Sequence, residues 1–220
     1  MYESLKSTVR PYKIVLNSMK TNFFPYPYRK YMHKHKIIFI HIPRTGGTSV
    51  LRYFSEKETG RDHSTWFNYL HSSPYAFNSY YKFAIVRNPW DRTLSAYKYL
   101  LGGGNKMGDL ELMERLKIYE DFNHFVKDGL LSMILDNVRL FLPQIFFVCD
   151  GKSNIMVDKI LRFENYQDCV SNILPKIKNK KIEKINSSER GDYKDYYNEE
   201  TINIVKGIYK NDIENFEYKF

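Results

Sequence analysis

The chain has few cysteines and no long apolar run. Its 220 residues include two cysteines, and the spacing of Cys149 and Cys169 does not match a pair of metal ligands. Cys149 lies within an apolar run, so we interpret it as a small core residue. No segment approaches the roughly 20 consecutive apolar residues of a membrane span, and residues 1–35 lack the apolar core and cleavage site of a signal peptide. We therefore expect a cytoplasmic protein without a transmembrane segment.

The chain also lacks two familiar signatures of phosphate chemistry. The loop Gly-x-x-x-x-Gly-Lys-Ser/Thr of nucleotide hydrolases is absent, because the cation Arg44 precedes Gly46 and Gly47 instead of following them. No cluster of carboxylates indicates a divalent metal, and we predict that the protein needs none.

A surplus of positive charge is present instead. Lys and Arg number 34 against 25 Asp and Glu, which gives a net charge of +9. Such a balance favours an anionic partner. Nucleotides, acidic glycans and a membrane surface are all anionic partners of this kind. The basic residues are scattered and form no recognised nucleic-acid module, so we predict no nucleic acid.

Apolar periodicity predicts alternating strands and helices. Continuous apolar runs predict strands within residues 37–42, 80–86, 144–151 and 157–163. The spacing of later apolar residues predicts a last helix over roughly Glu199 to Ile213. We expect an α/β fold with a mostly parallel sheet, and ligands at the carboxyl ends of its strands. Residues 36–220 are predicted to form a single domain. Residues 1–35 are predicted to be a basic, aromatic extension packed on it, in which Pro25 and Pro27 favour an extended backbone.

The turn after the first predicted strand has the chemistry of an anion site. In the stretch HIPRTGGTS, Gly46 and Gly47 permit close approach of the backbone, and the following helix start offers unpaired N–H groups and a positive dipole end. An ordinary strand-to-helix connection with a surface arginine is the alternative. The side-chain donors of this turn are Arg44, Thr45, Thr48 and Ser49.

The turn after the second predicted strand offers a second cation. In VRNPWDRTLSAY, Arg87 follows the strand end and Ser95 lies two helical turns further along. A guanidinium presents a rigid fork suited to phosphate, and a serine hydroxyl can donate to the same anion. Taken alone, this segment is equally consistent with a capped helix whose charged side chains lie on the surface.

Together, the two motifs resemble the donor-binding motifs of the sulfotransferase superfamily. The resemblance is closest to carbohydrate sulfotransferases of the heparan-sulfate 2-O/6-O type and their bacterial relatives (sulfotransferase family 2), and it extends to LRFENYQD (residues 161–168) and to residues 196–220. The first 35 residues have no recognisable counterpart. The resemblance implies a P-loop-like three-layer fold, the donor 3′-phosphoadenosine 5′-phosphosulfate (PAPS), and a glycan or glycolipid acceptor. The first loop would hold the 5′-phosphosulfate, while Arg87 and Ser95 would hold the 3′-phosphate.

The resemblance also implies an in-line reaction in which an acceptor hydroxyl attacks sulfur. The leaving phosphate gains negative charge in the transition state and needs hydrogen-bond donors placed beside it. Arg44 is the catalytic candidate for this role. The commoner family pattern has Lys at this position. A neutral histidine is suited to act as the general base. His63, in the segment DHSTW, matches the position of that base in similar proteins, and His71 is the alternative.

Further contacts are predicted outside the two motifs. Residues 186–197 resemble the family loop that closes over the nucleotide, and the predicted donor contacts there are Ser188, Tyr193 and Lys194. Four further residues are candidates for contact with the acceptor, and a structural role suits each of them equally well. They are Trp66, Lys106, Arg139 and Gln144.

Other interpretations remain open at this stage. Arg162 and Glu164 are expected to form an internal ion pair. The alternative functions are a P-loop-like nucleotide kinase and a non-catalytic protein that binds adenosine 3′,5′-bisphosphate (PAP) or an anionic glycan. The sequence carries no signal for an oligomeric state or for the acceptor sugar.

Overall fold

A parallel sheet lies at the centre of the described structure. The computed structural model describes residues 25–54, 62–105, 108–166 and 191–220, without the side chain of Tyr53. Within these ranges the sheet has three strands in the order β1-β2-β3, all parallel. The strands are β1 (Ile37–Ile40), β2 (Tyr81–Val86) and β3 (Lys159–Arg162). The prediction of an α/β fold with a parallel sheet flanked by helices is confirmed.

Helices connect and flank the strands. In chain order they are α1 (Lys30–His35), α2 (Gly47–Phe54), α3 (Trp66–Ser72), α4 (Pro74–Ser79), α5 (Pro89–Leu101), α6 (Leu110–Leu116), α7 (Phe122–His124), α8 (Leu130–Leu135), α9 (Ile145–Val148), α10 (Glu199–Ile208) and α11 (Lys210–Asn215). A π-helical turn (Phe125–Gly129) joins α7 to α8, and 3-10 turns cover Phe163–Asn165 and Tyr193–Tyr196. None of the helices in the described ranges is long and apolar enough to cross a membrane.

The two faces of the sheet bury different sets of side chains. Successive residues of a strand point to opposite faces, so Ile38 and Ile40 belong to one apolar cluster and Phe39 to another, where it stacks on Phe83. Val50 of α2 packs on the Phe39 face. A separate helical cluster surrounds α5 and contains Trp90, Leu94, Leu100, Phe125, Phe141 and Val205. The turns that follow β1 and β2 therefore extend from buried elements, the sheet and α5.

The N-terminal segment differs from its prediction. Residues 25–28 form a turn, Arg29 is extended, and residues 30–35 are helical instead of extended. The helix forms because Tyr31 and Met32 are buried in the cluster that contains Ile38, and because the N–H of Lys36 closes the helix on the carbonyl of Met32. The domain boundary at residue 36 stays a prediction.

One predicted strand is wrong. Residues 145–148 of the run QIFFVCDG form α9, whose first N–H groups, those of Gln144 and Ile145, donate to the buried carboxylate of Asp212 at 2.7 and 2.9 Å. A short apolar run suits a buried helix as well as a strand, and the distant Asp212 decides between them. Cys149, directly after this helix, is buried, and its burial raises the pKa of the thiol to about 11.

The last predicted helix is divided. Helix α10 ends at Ile208, and α11 begins at Lys210. Tyr209 between them is buried and donates its hydroxyl to the carbonyl of Phe141 at 2.6 Å. That bond ties the C-terminal helices to the α5 cluster.

Candidate active site

A cleft of about 880 Å³ lies at the carboxyl ends of the strands. Residues that follow each strand line it: His41 after β1, Arg87 after β2, and Phe163 after β3. This is the edge at which parallel α/β sheets bind ligands. The predicted location of the site therefore coincides with a cleft.

The first turn has the backbone of an anion-binding loop. Arg44 and Gly46 have positive φ angles of 67° and 80°, and α2 begins at Gly47. Thr45 is fully buried and donates its hydroxyl to the carbonyl of Ile42 at 2.9 Å, so it holds the turn together. Thr45, a predicted donor to the anion, is not part of the cleft lining. The members of this turn that line the cleft are Pro43, Arg44, Gly46, Gly47, Thr48 and Ser49.

The two motifs meet at one hydroxyl group. Ser95 Oγ accepts N–H groups from Arg44 (Nε at 3.2 Å, Nη2 at 3.0 Å) and from Arg87 (Nη1 at 3.2 Å). Arg87 Nη1 also donates to the backbone carbonyl of Arg44 at 2.9 Å. We call Arg44, Arg87 and Ser95 the guanidinium cluster. It places two permanent positive charges side by side on the wall of the cleft.

The surroundings of Arg87 fix its direction. Its Nε donates to Asp91 at 2.6 Å, and its guanidinium lies over the ring of Phe163, 4.2 Å from the centroid. The side chain of Gln144 is fully buried and bonds both the N–H and the carbonyl of Arg87. Gln144, which the sequence suggested as an acceptor contact, instead holds the backbone behind the cluster.

Arg44 lies nearer to the second motif than the sequence suggested. Its guanidinium lies over the ring of Tyr99 of α5, 4.5 Å from the centroid, in addition to its bonds to Ser95. The sequence reasoning placed this cation at the start of α2. The positive φ of Arg44 and the bond from Arg87 to its carbonyl set the different direction.

His63 also lines the cleft, close to the loop. It is half-buried, its Nδ1 lies 2.9 Å from the carbonyl oxygen of His41, and the two imidazole rings are 4.5 Å apart. A carbonyl oxygen can only accept, so Nδ1 carries the proton of the neutral ring and Nε2 carries the lone pair. Arg139 donates to the carbonyl of His63.

His41 was missed by the sequence reasoning. It is 5% exposed and lies against the start of α2, where a Cβ added to Gly47 would be 2.1 Å from His41 Cδ2. His41 therefore links the loop to His63. A signal for it was present in the sequence, because it is the one polar residue in the apolar run that precedes Pro43.

Substitution of Gly47 by alanine is expected to destabilise the protein by about 1–3 kcal/mol, because the added methyl group would overlap His41. Thermal unfolding measures this loss. Gly207→Ala in α10 is the matched control, since a Cβ there meets nothing within 4 Å and alanine favours a helix. Adding His41→Ala to Gly47→Ala should recover part of the loss. A melting temperature equal to that of the wild type would contradict the contact.

Several predicted site residues lie outside the cleft lining. His71, at the end of α3, stacks on Phe67, with ring centroids 5.8 Å apart. The hydroxyl of Tyr193 accepts from Asn88 Nδ2 at 3.3 Å, and Lys194 Nζ lies 5.6 Å from the centroid of the Phe220 ring. Ser188 and Lys106 fall outside the described residues.

The expected ion pair between Arg162 and Glu164 is wrong. Arg162 donates to the carbonyl of Phe216 and lies 3.8 Å from Glu217. The carboxylate of Glu164 accepts the N–H of Asn88 at 2.7 Å and the hydroxyl of Tyr218 at 3.1 Å. Glu164 thus supports the second turn instead of pairing along its own segment.

Comparison with known families identifies the family of the chain. The profile of the Sulfotransferase family matches residues 30–219, which include both turns of the cleft. The chain belongs to the sulfotransferase family. Searches among curated proteins and among solved structures found no match.

Membership makes this sulfotransferase a transferase that uses a sulfate donor and an acceptor. Its α/β fold with parallel strands is that of a P-loop-like sulfotransferase. The match also corrects one expectation, since it begins at residue 30 and so includes α1, which the sequence reasoning had left without a counterpart.

Proposed function

We propose that this sulfotransferase moves a sulfuryl group from PAPS to a hydroxyl group of a glycan or glycolipid, without a metal, in the cytoplasm. The guanidinium cluster carries the proposal, because it joins the cations of both motifs in one cleft. Two adjacent guanidiniums favour an anion with several oxygen acceptors, as a phosphate has. PAPS carries a phosphate on the 3′ oxygen and a phosphosulfate on the 5′ oxygen of its ribose, and so fits a cleft with two neighbouring anion sites.

The donor is proposed to lie with its 3′-phosphate at Arg87 and Ser95. Its 5′-phosphosulfate would then meet the loop and the start of α2, where Gly47, Thr48 and Ser49 line the cleft. Unpaired N–H groups at a helix start and the helix dipole both stabilise a bound anion.

His63 is proposed as the general base. Its link through His41 to Gly47 supports a position beside the 5′ end of the donor. The acceptor oxygen attacks sulfur, the bond from sulfur to the bridging oxygen of the 5′-phosphate breaks, and PAP leaves with that electron pair. The proton of the acceptor hydroxyl passes to Nε2 of His63, so the products are the sulfate ester, PAP and one proton.

Arg44 is proposed to stabilise the charge that develops on the leaving phosphate. In the structure its guanidinium is bonded to Ser95. To stabilise the 5′-phosphate, Arg44 must therefore exchange its bond to Ser95 for a bond to the donor. An arginine side chain is long enough to move between neighbouring acceptors, and it keeps its charge in either position.

Incubation with sulfur-labelled PAPS and a panel of glycans in the presence of a chelator tests the proposal. We expect transfer of label to a sugar hydroxyl and release of PAP. Calorimetric titration should show binding of PAP and none of ATP with magnesium. Tight binding of ATP with magnesium would favour a kinase instead, and binding of PAP without transfer to any glycan would favour a non-catalytic binder.

A further inference from the structure

A second groove of about 650 Å³ adjoins the cleft. Its walls come from the start of α3, including Trp66 and Phe67, and from residues around α9, including Ile145 and Phe146. Two observations place the groove next to the cleft. Arg139 lines both, and the chain runs from His63 in the cleft directly to Thr65 in the groove.

Two aromatic rings of the groove face solvent. Phe67 is 56% exposed and Phe146 is 49% exposed. Neighbouring residues Trp66 and Ile145 are partly buried beside them and pack against the apolar cluster of the sheet. Exposed apolar side chains of this kind gain free energy when an apolar group of a ligand covers them and removes their surface from water.

Several polar atoms of the groove are already engaged within the protein. The side-chain oxygen of Asn68 accepts the N–H and the hydroxyl of Thr65 at 2.8 and 2.9 Å, and Trp66 Nε1 donates to the carbonyl of Cys149 at 2.7 Å. Both carboxylate oxygens of Asp150 accept hydrogen bonds from its own turn, from the N–H groups of Lys152 and Asn154 and from Asn154 Nδ2. Asn68 Nδ2 and the guanidinium of Arg139 are the remaining side-chain donors of the groove lining, so a sugar ring there would find few partners for its hydroxyl groups.

Arg139 lies at the border between the polar cleft and the apolar groove. It is exposed, and within the described residues it makes no salt bridge. Its bond to the carbonyl of His63 places it directly beside the proposed base. A molecule that reached from His63 across Arg139 would pass from a polar cleft to an apolar groove.

We propose that the groove holds the apolar portion of an amphiphilic acceptor, an alkyl or acyl glycoside whose sugar hydroxyl reaches His63. The proposal rests on the proposed function and narrows its acceptor class. The position of the groove beside the cleft, the exposed rings and the small number of remaining polar donors favour this occupant over a purely polar oligosaccharide.

Paired glycosides test the acceptor class. Each sugar of the panel is offered as its methyl and as its octyl glycoside, the latter below its micelle concentration. Each methylene buried from water lowers KM by up to about fourfold, so for the sugar that accepts sulfate we expect a KM about tenfold lower, or lower still, with the octyl chain. Equal KM values for the two glycosides would overturn the proposal.

A double variant links this preference to the groove. In Phe67→Ser with Phe146→Ser, the ratio of KM values for the methyl and octyl glycosides should fall toward one. Tyr75→Ser, which removes an 80% exposed aromatic ring outside the groove, is the matched control and should keep the ratio. An unchanged ratio in the double variant would overturn the proposal.

A binding measurement separates the two proposals. The chain has two tryptophans, Trp66 in the groove and Trp90, which is 2% exposed. With PAP present, octyl β-D-glucoside should change the fluorescence of Trp66 saturably, and methyl β-D-glucoside should not. Failure of PAP to bind would count against the proposed function. Binding of PAP without any fluorescence change on addition of the octyl glucoside would overturn only the proposal that the groove holds an apolar chain.

A second copy of the chain is the competing occupant. Sedimentation of the wild type and of the double variant distinguishes it. A dimer that dissociates on substitution of Phe67 and Phe146 would show that the groove is a subunit interface and would overturn the acceptor proposal. A monomer in both cases agrees with an open groove.

Discussion

Replacement of His63 by alanine is expected to lower kcat of sulfate transfer by about 10²–10⁴-fold, with little change in the affinity for PAP. Loss of a positioned general base typically costs a factor of this size. The bond from Nδ1 to the carbonyl of His41 directs the lone pair to Nε2, and this tautomer suits proton abstraction. Measurement of kcat by release of labelled sulfate ester, beside calorimetry with PAP, checks both parts.

His71→Ala is the matched control for His63→Ala. His71 was the alternative base, and it lies at the end of α3, stacked on Phe67 and outside the cleft lining. We expect its kcat to stay within about threefold of the wild type, since no proton transfer is assigned to it. A large loss in His71→Ala together with full turnover in His63→Ala would reverse the assignment of the base.

Arg87→Met is expected to weaken binding of PAP by about a hundredfold or more. A hydrogen bond to a charged group contributes about 1.5–3 kcal/mol, and the guanidinium can offer a phosphate more than one. The side chain is oriented by Asp91 and by the ring of Phe163, so that little conformational entropy is lost on binding. Calorimetric titration with PAP measures the change.

The second ligand for this test is adenosine 5′-monophosphate, which lacks the 3′-phosphate. The substitution Arg87→Met should weaken the binding of adenosine 5′-monophosphate far less than the binding of PAP. Arg115→Met, at an arginine that lines the same cleft and pairs with Asp136, controls for the loss of a positive charge. Equal losses for the two nucleotides would show that Arg87 does not bind the 3′-phosphate. Thermal unfolding of each variant confirms that the comparison is made on folded protein.

The parts of the fold that depend on neighbouring residues were predictable from the sequence. Strand β2 and the helix that follows it are set by a local apolar run, by the cap in which Asn88 accepts the N–H of Trp90, and by Pro89 at the first helical turn. The same holds for β1 and the glycine turn. These local signals are also the ones that placed Arg87 and Ser95 at one edge of the sheet.

The parts that depend on distant residues were not predictable. Residues 145–148 of the strand predicted at QIFFVCDG form a helix because Asp212, far along the chain, accepts the N–H groups of Gln144 and Ile145 at its start. The direction of Arg44 depends on Tyr99 and Ser95 of α5, and no local pattern specifies it. His41 acquires its place only when α2 packs against it. In each case a tertiary contact decided what the local sequence left open.

The guanidinium cluster has a practical consequence for the choice of solution conditions. Arg44 and Arg87 both donate to one neutral hydroxyl, so we expect a small tetrahedral anion to bind between the two guanidiniums. Ammonium sulfate as a precipitant, or a phosphate buffer in an assay, would compete with the nucleotide for this position. Crystals and kinetic measurements made in chloride or acetate would instead leave the position to the nucleotide.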